Sequence, residues 1–449
     1  MSSLLKRLLL IGALAALVIG ALLPWVSTFA EGAALVLAGV CLALWLSEAV
    51  PPFVPALLLA VLVPAGLGRH NPAEYGLGQV LGWGADPVLA LFFGGFVLSA
   101  ATRAHALDRA LIQQTTRLAG GSGLRLLLLT SVLTAVLSMW LSNIAASALV
   151  LASLQPLLQQ LPPNAALRRA LLLGVAFGAD FGGMATPIGS GPNGLALAET
   201  AARGVPVSFG AWMLFALPLT LGLLAAALAL VVWRFHLGGS NTAVPVTPAE
   251  PLPPDARRRH LLAVLLLTVV LWLTEPWHGV AAGVVALGSA AVLFAIRLIT
   301  PETLRELDWS TLMLIAGGLM LGRLLEQSGV VRTLSAQVNW QQMPPAVGLF
   351  GLCIISALLS ALMSNTAAVV MLIPLGQAIY PEPSTAILVA LAASMGVPFV
   401  ISTPPNAMAY SQGGLKPADL LVPGLLLMLG GCLLISLTGR AVLHWAGIP

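Results

Sequence analysis

Apolar runs of roughly 20 residues recur along this chain, at 7–26, 32–50, 51–68, 87–102, 124–141, 208–233, 261–274, 277–298 and 419–438, each long enough or nearly so to cross a ~30 Å hydrocarbon layer as a helix. Polar residues break this pattern at few places, and the main interruption is written twice. In Ser138-Met139-Trp140-Leu141-Ser142-Asn143-Ile144-Ala145-Ala146, the pair Ser142 and Asn143 sits mid-way through an apolar stretch with no charge nearby. Leu362-Met363-Ser364-Asn365-Thr366-Ala367-Ala368 repeats the arrangement, with Thr366 where the first copy has Ile144. Ser-Asn is a capping and turn pair. Irregular backbone at membrane depth survives only inside protein or beside a water-filled cavity. One copy alone also fits a long helix with a polar spot; two copies predict a pair of re-entrant hairpins with Ser-Asn at their tips.

A second kind of break follows each tip, at 182–194 (GGMATPIGSGPNG) and 397–408 (VPFVISTPPNAM). Pro187 and Pro192 in the first, and Pro398, Pro404 and Pro405 in the second, lack an N–H and interrupt a membrane helix. Segments 105–119 and 323–338, ahead of the two tips, mix apolar positions with Arg, Gln and Glu. They read equally as amphipathic helices on the membrane surface or as simple loop helices.

Composition agrees with the pattern. Of 449 residues, 59% are hydrophobic and 8% charged, with a mean hydropathy of +0.98, whereas a soluble domain carries about 25% charged residues. The fold expected is an all-α polytopic membrane protein. The net charge of +4 comes from loop Lys and Arg, so it bears on orientation and not on nucleic acid. Cys41, Cys353 and Cys432 lie scattered in apolar runs, without the spacing of a disulfide framework or a metal site. The first run is longer than a signal-peptide core and no small-residue cleavage site follows Pro24-Trp25, so it reads as a first span. Lys6 and Arg7 place its start in the cytoplasm.

The polar linker 236–259 divides the chain nearly in half, and the same landmarks occur in the same order on both sides. Trp45-Leu46-Ser47-Glu48 is echoed by Trp272-Leu273-Thr274-Glu275, Gly94-Gly95 by Gly317-Gly318, Ser142-Asn143 by Ser364-Asn365, and Pro192-Asn193 by Pro405-Asn406. Collinear duplication of this kind marks transporters built from two repeats around a central site. Arg103, Arg109, Arg117, Arg125, Arg168 and Arg169 flank the first tip, while 339–345 and 380–384 around the second hold no Lys or Arg. By the positive-inside rule the first hairpin enters from the cytoplasm and the second from outside, which makes the repeats inverted. The expected division is an N-terminal span at 1–31, a first repeat at 32–235, a cytoplasmic linker at 236–259 and a second repeat at 260–449. Glu48 and Glu275, related by the repeat and near helix ends, read as structural capping or packing groups.

Helices broken at the midplane supply a site without charged side chains. Their N-terminal halves offer free N–H groups to an anion, and their C-terminal halves offer carbonyl oxygens to a hard cation such as Na⁺. No Lys or Arg lies within either tip or break.

On Ser138-Met139-Trp140 with Ser142-Asn143, on Ser364-Asn365-Thr366, and on the two TP…PN breaks, the chain resembles the divalent-anion/sodium symporter family, carriers of succinate, malate, citrate and sulfate. Trp-Leu-Ser/Thr-Glu, Gly-Gly and Asp308-Trp309 extend the resemblance over nearly the whole length. It implies about eleven spans, a homodimer, and elevator-type alternating access in a bacterial inner membrane, with Na⁺ as coupling ion and no organic cofactor. Carried over by position, it implies one Na⁺ site at Ser138, Ser142, Asn143 and Gly189, and a second at Ser360, Met363, Asn365 and Ser402. The substrate anion would sit between Ser142-Asn143-Ile144 and Ser364-Asn365-Thr366, held also by Pro192, Thr403 and Pro404.

Three departures stand out. Ile144 replaces the usual Thr of the first tip, and Gly191 stands where Pro is common. Either Ile144 weakens the grip on one carboxylate, which suits a smaller or less symmetric anion, or it packs away from the ligand while Ser147 replaces the hydroxyl. Asp180 lies where relatives tend to carry a small neutral residue. It is a candidate for cation or proton coupling, or it lines a wet cavity with no role.

Other signals carry little. Residues Gly189 to Gly194 spell GxGxxG without the strand that a nucleotide-binding turn requires. Trp25, Trp233 and Trp277 fit interfacial anchors, and His105, His260 and His278 fit loop or helix-end positions. No nucleophile–base constellation is visible, so an enzyme is not expected. Beside a Na⁺-coupled symporter, the rivals are a Na⁺-independent anion exchanger on the same fold, and a channel or related ion antiporter. An Na⁺/H⁺ antiporter needs buried acids in both halves, and Asp180 has only Ala393 at the equivalent position.

Overall fold

The computed structural model describes residues 11–13, 16, 19, 20, 22–47, 49–107, 114, 115, 117–237, 256–336 and 344–448. Lys6, Arg7, Glu48, part of 105–119, most of the linker and residues 339–343 lie outside them.

Among the described residues the regular structure is all-helical. The helices that position the site are α1 (Phe29–Ser47), α2 (Val54–Gly66), α3 (Leu77–Gly84), α4 (Pro87–Ala104), α5 (Gly123–Ser138), α6 (Asn143–Gln160), α7 (Ala166–Gly182), α8 (Gly191–Ala202), α9 (Phe209–Phe235), α10 (Ala256–Leu273), α11 (Ala282–Ala295), α12 (Trp309–Ser328), α13 (Pro345–Leu362), α14 (Asn365–Ile379), α15 (Ser384–Ala393), α16 (Pro404–Ser411) and α17 (Pro417–Trp445). Among the described residues, three helical stretches are long and apolar enough to span a membrane: Pro72–Ala104, which is interrupted at Gly76 and at Ala85-Asp86, Phe209–Phe235 and Pro417–Trp445. Other apolar helices are shorter, and those around the two tips, Gly123–Ser138, Ala346–Leu362 and Asn365–Ile379, stop or start at the Ser-Asn positions. Residues 323–328 belong to α12 and not to a separate surface helix; Gly329, at φ +85°, ends α12 before a short helix Val330–Ser335.

Two packing groups emerge. In one, α4 lies on α11, α10 on α11, and α12 on α1, α2 and α3. In the other, α5, α6, α7, α9 and α16 gather around α7, while α13, α14, α15 and α17 gather around α15. The groups meet where α14 and α8 touch α12, and where α8 touches α4. Lipid tails are as apolar as Leu, so helix association in a bilayer rests on close packing of small residues. A β-carbon on Gly94 of α4 would stand 2.5 Å from that of Ala286 on α11, and one on Gly317 of α12 would stand 2.8 Å from the Cα of Ala56 on α2. The second glycines face inward: Gly95 contacts Ile188 in the first break, and Gly318 contacts Val370 beyond the second tip.

The same local geometry recurs in both halves of the chain. Trp45 Nε1 donates to Pro52 O at 2.9 Å and Trp272 Nε1 to Ala282 O at 3.0 Å. Asp86 and Asp308 cap α4 and α12 by accepting from Val88 N and Thr311 N. Glu275 accepts from Phe209 N at 3.3 Å, a capping contact at the start of α9.

Candidate functional site

The two Ser-Asn pairs form turns between antiparallel helices. Ser142 closes α5–α6 by accepting from Ala145 N at 3.2 Å, and Ser364 closes α13–α14 by accepting from Ala367 N at 3.3 Å. Each is a helix N-cap, the role for which Ser is favoured. Behind each tip a second serine meets the asparagine: Ser138 Oγ lies 2.8 Å from Asn143 Oδ1, and Ser360 Oγ lies 2.7 Å from Asn365 Oδ1. Ser138 Oγ also lies 2.7 Å from Ala179 O, so one hydroxyl proton faces two acceptors.

The breaks pack behind the tips. Asn193 is fully buried, and its Nδ2 donates to Gly183 O at 2.9 Å and Thr186 O at 2.7 Å. Asn406, also fully buried, donates to Val397 O at 3.0 Å and Phe399 O at 3.1 Å. Each asparagine thus holds an unwound turn by the carbonyls the broken helix leaves free. The Oδ1 atoms of both have no hydrogen-bond partner among the described residues. Thr186 Oγ1 donates to Met139 O and ties the first break to the first tip. Gly182 lies against Ala135 O, and a β-carbon on Gly396 would stand 2.7 Å from Ala357 O. By those matched contacts Ser394 holds the position in the second half that Asp180 holds in the first; it, like Ala393 beside it, carries no charge.

Of the residues expected at the first cation site, Ser138, Asn143 and Gly189 come together. Asn143 Oδ1 sits against Gly183, and a β-carbon there would also stand 3.0 Å from Gly189 O, so the oxygens converge on a spot that glycine leaves open. Ser142 stands at the adjoining cap. At the second site, Ser360 and Asn365 are together, and Met363 is buried in extended backbone between the two helices of the hairpin. Ser402 donates to Phe399 O at 2.8 Å and accepts from Asn406 Nδ2 at 3.3 Å, inside the break.

Helices α6, α14, α8 and α16 all begin at a tip or a break, while α5, α7, α13 and α15 end there. Their contacts cross between halves. Thr366 at the start of α14 sits against Gly191 at the start of α8, and Ser147 of α6 meets Met408 of α16 at 3.6 Å. Gly191 therefore serves a packing need: a β-carbon would reach within 3.0 Å of Thr366 Cγ2 and closer still to Oγ1. Pro192 is buried at the α8 start and Pro404 is exposed at the α16 start. Ile144 is 51% exposed at the first tip. Ser147 Oγ donates to Asn143 O at 2.8 Å or Ile144 O at 3.0 Å, so its proton is committed within its own helix. Thr403 Oγ1 donates to Asp180 Oδ2 at 3.0 Å, joining α7 to the second break.

Sequence reasoning placed Pro192 and Pro404 at the site and used Asn193 and Asn406 as landmarks of the repeat without giving them a role. The repetition of Asn after Pro in both halves was the available signal. It also missed the stack of Trp140 on Trp272 at 6.2 Å and of Phe209 on Trp272 at 4.5 Å, which braces the first tip against α10.

A helical membrane protein with two Ser-Asn hairpin tips and two broken helices that contact one another between the halves has the construction of a secondary transporter. Residues 42–386, and again 348–448, match the citrate transporter family (CitMHS), and the chain belongs to that family; it is a transporter and not an enzyme. It is 28% identical over 425 residues to an uncharacterized transporter of Haemophilus influenzae, covering 88% of each chain. It is 26% identical to the sodium-dependent dicarboxylate transporter SdcS of Staphylococcus saprophyticus, over 82% of this chain and 78% of that one. A 28% identical match to the inorganic phosphate transporter PHO87 of Saccharomyces cerevisiae takes in 91% of this chain and 46% of the yeast protein. Among solved structures, the YdaH transporter of Alcanivorax borkumensis shares the fold, with a TM-score of 0.61 at 16% identity over 89% of this chain and all of that one.

Proposed function

We propose that this transporter is a Na⁺-coupled symporter of a small divalent anion, a dicarboxylate such as succinate or malate or else sulfate. The observation that carries the reading is the repeated oxygen cluster, Ser138–Asn143 and Ser360–Asn365, each at the C-terminal end of one broken helix and the start of the next. Helix C-termini and side-chain oxygens suit a hard cation, and the four helix N-termini beside them suit an anion. In this reading Na⁺ is cargo held by Ser138, Ser142, Asn143 and Gly189, and by Ser360, Met363, Asn365 and Ser402. The anion lies between the tips, against Ser142, Asn143, Ile144, Ser364, Asn365, Thr366, Pro192, Thr403 and Pro404. The names of the staphylococcal relatives support the sodium and dicarboxylate assignment.

The two packing groups fit an elevator, in which the hairpins, breaks, α9 and α17 move against α1–α4 and α10–α12. The arrangement as inverted repeats at 32–235 and 260–449, the homodimer, and a bacterial inner membrane with a cytoplasmic N-terminus complete the reading. The arginine distribution supports the orientation. A Na⁺/H⁺ antiporter is disfavoured because Ser394, the counterpart of Asp180 in the second half, is neutral. The test is Na⁺-dependent thermal stabilisation of the purified protein, with choline as control. Ser138→Ala and Ser360→Ala each weaken the apparent Na⁺ affinity; stabilisation by Na⁺ equal to that by choline in the wild type would refute the coupling.

A further inference from the structure

We propose that Asp180 is a proton site that controls Thr403, so that a proton on Asp180 strengthens binding of the anion. The inference rests on the anion-carrier reading and goes beyond it in naming a second coupling ion and its residue.

Thr403 Oγ1 has one proton and two engagements. It accepts from Asn406 N at 3.3 Å, which caps α16, and it gives its proton to Asp180 Oδ2 at 3.0 Å. Asp180 is 4% exposed, and its Oδ1 has no hydrogen-bond partner among the described residues. A carboxylate held by one neutral hydroxyl in such a place is costly unless it is neutralised. Charged groups on the surrounding elements stand far off. Arg168 and Arg169 lie on α7 itself, and the eleven residues from Arg169 to Asp180 span about 16 Å of helix. Asp419 of α17 pairs with Arg169, and Arg234 of α9 pairs with Asp419, all at that same end. Arg125 of α5 precedes Ser138 by about 20 Å of helix, and Ser138 is level with Ala179. Helix α6 carries no titratable group, and α16 carries only Tyr410, about 10 Å along the helix from Thr403. The hydrogen bond that Asp180 makes among the described residues is to the Thr403 hydroxyl, a pair of oxygens that can share and reverse a single proton, and we therefore take a proton as the neutralising ion.

The consequence is a change of donor direction. With Asp180 ionised, the Thr403 proton is spent on the carboxylate. With Asp180 protonated, the carboxyl O–H donates to Thr403 Oγ1, and the threonine proton is released for a substrate oxygen. By linkage, anion binding and proton uptake then favour each other.

The experiment measures KM for labelled succinate and labelled sulfate in proteoliposomes at fixed Na⁺, from about pH 6.5 to 8.5, where both probes stay dianionic. The wild-type KM falls roughly two- to tenfold as pH is lowered, the worth of one neutral hydrogen bond. Asp180→Asn, whose Nδ2 donates to Thr403 as the protonated acid does, holds the low-pH KM throughout. A flat wild-type profile, or a variant that keeps the wild-type profile, overturns the proposal. So does a variant whose Na⁺ dependence alone has changed, which would make Asp180 a sodium ligand. If the variant fails to fold, a pH dye trapped in wild-type vesicles decides: luminal acidification accompanies uptake, and uptake without proton movement refutes the idea. Absence of uptake of either probe by the wild type would instead sink the divalent-anion reading, and this one with it.

Discussion

Replacing Asn193 by Ala tests whether the first break is held as described. The substitution deletes the Nδ2 donor that serves Gly183 O at 2.9 Å and Thr186 O at 2.7 Å, in a position with no solvent exposure. Each buried carbonyl left without a donor costs about 1–3 kcal/mol, so the pair costs roughly 2–6 kcal/mol. Gly183 and Gly189 line the spot where Asn143 Oδ1 converges, so the loss falls on the first oxygen cluster. When binding must first rebuild its site, the apparent affinity drops by the fraction of molecules that hold the competent form. Even about 2 kcal/mol corresponds to roughly 30-fold in that population. The assay is a Na⁺ titration of anion uptake, paired with the thermal midpoint of the detergent-solubilised protein. Asn193→Ala is expected to lower the midpoint and weaken the apparent Na⁺ affinity by tenfold or more, and Asn406→Ala to do the same through the second break. Wild-type Na⁺ dependence in a stable Asn193→Ala protein would refute the assignment of this side chain as the staple of the break.

Gly191→Ala drives a methyl into Thr366; the overpacking costs about 1–3 kcal/mol, and the KM for the anion rises roughly tenfold while the protein still assembles. Ile144→Thr places a hydroxyl at an exposed tip and is expected to raise uptake of succinate relative to sulfate by roughly two- to tenfold; an unchanged ratio would remove Ile144 from the selectivity of the site. Asp419→Ala leaves Arg169 without the buried carboxylate it meets through Nε at 2.9 Å and through Nη2, a loss of about 3–5 kcal/mol visible as a reduced thermal midpoint.

The helical architecture was legible because the apolar runs and their polar interruptions are set by the bilayer, which demands internal hydrogen bonding and a fixed span length. The tips were legible because the pair Ser-Asn recurs in two apolar stretches that hold no charged residue. The departure at Gly191 had no explanation in the sequence, since its cause is Thr366 from the other half of the chain. The same holds for Thr403 and Asp180, 223 residues apart and joined by one hydrogen bond. Asn193 and Asn406 were hidden for a different reason. Their repetition after Pro was visible, but their work is done on backbone carbonyls, which carry no residue-type signature to say what the side chains hold. The boundary of α12 was misplaced because charged residues near a helix end resemble a surface segment until Gly329 fixes where the helix stops.

The central claim is that the duplicated Ser–Asn clusters bind Na⁺ and couple it to a divalent anion. Uptake of labelled succinate, sulfate and phosphate into proteoliposomes, with an inward Na⁺ gradient and with choline in its place, tests it most directly. Concentrative uptake of a divalent anion that requires Na⁺ and collapses in Ser138→Ala and Ser360→Ala is the expected result. Equal uptake in choline, or anion exchange that ignores the gradient, would contradict it.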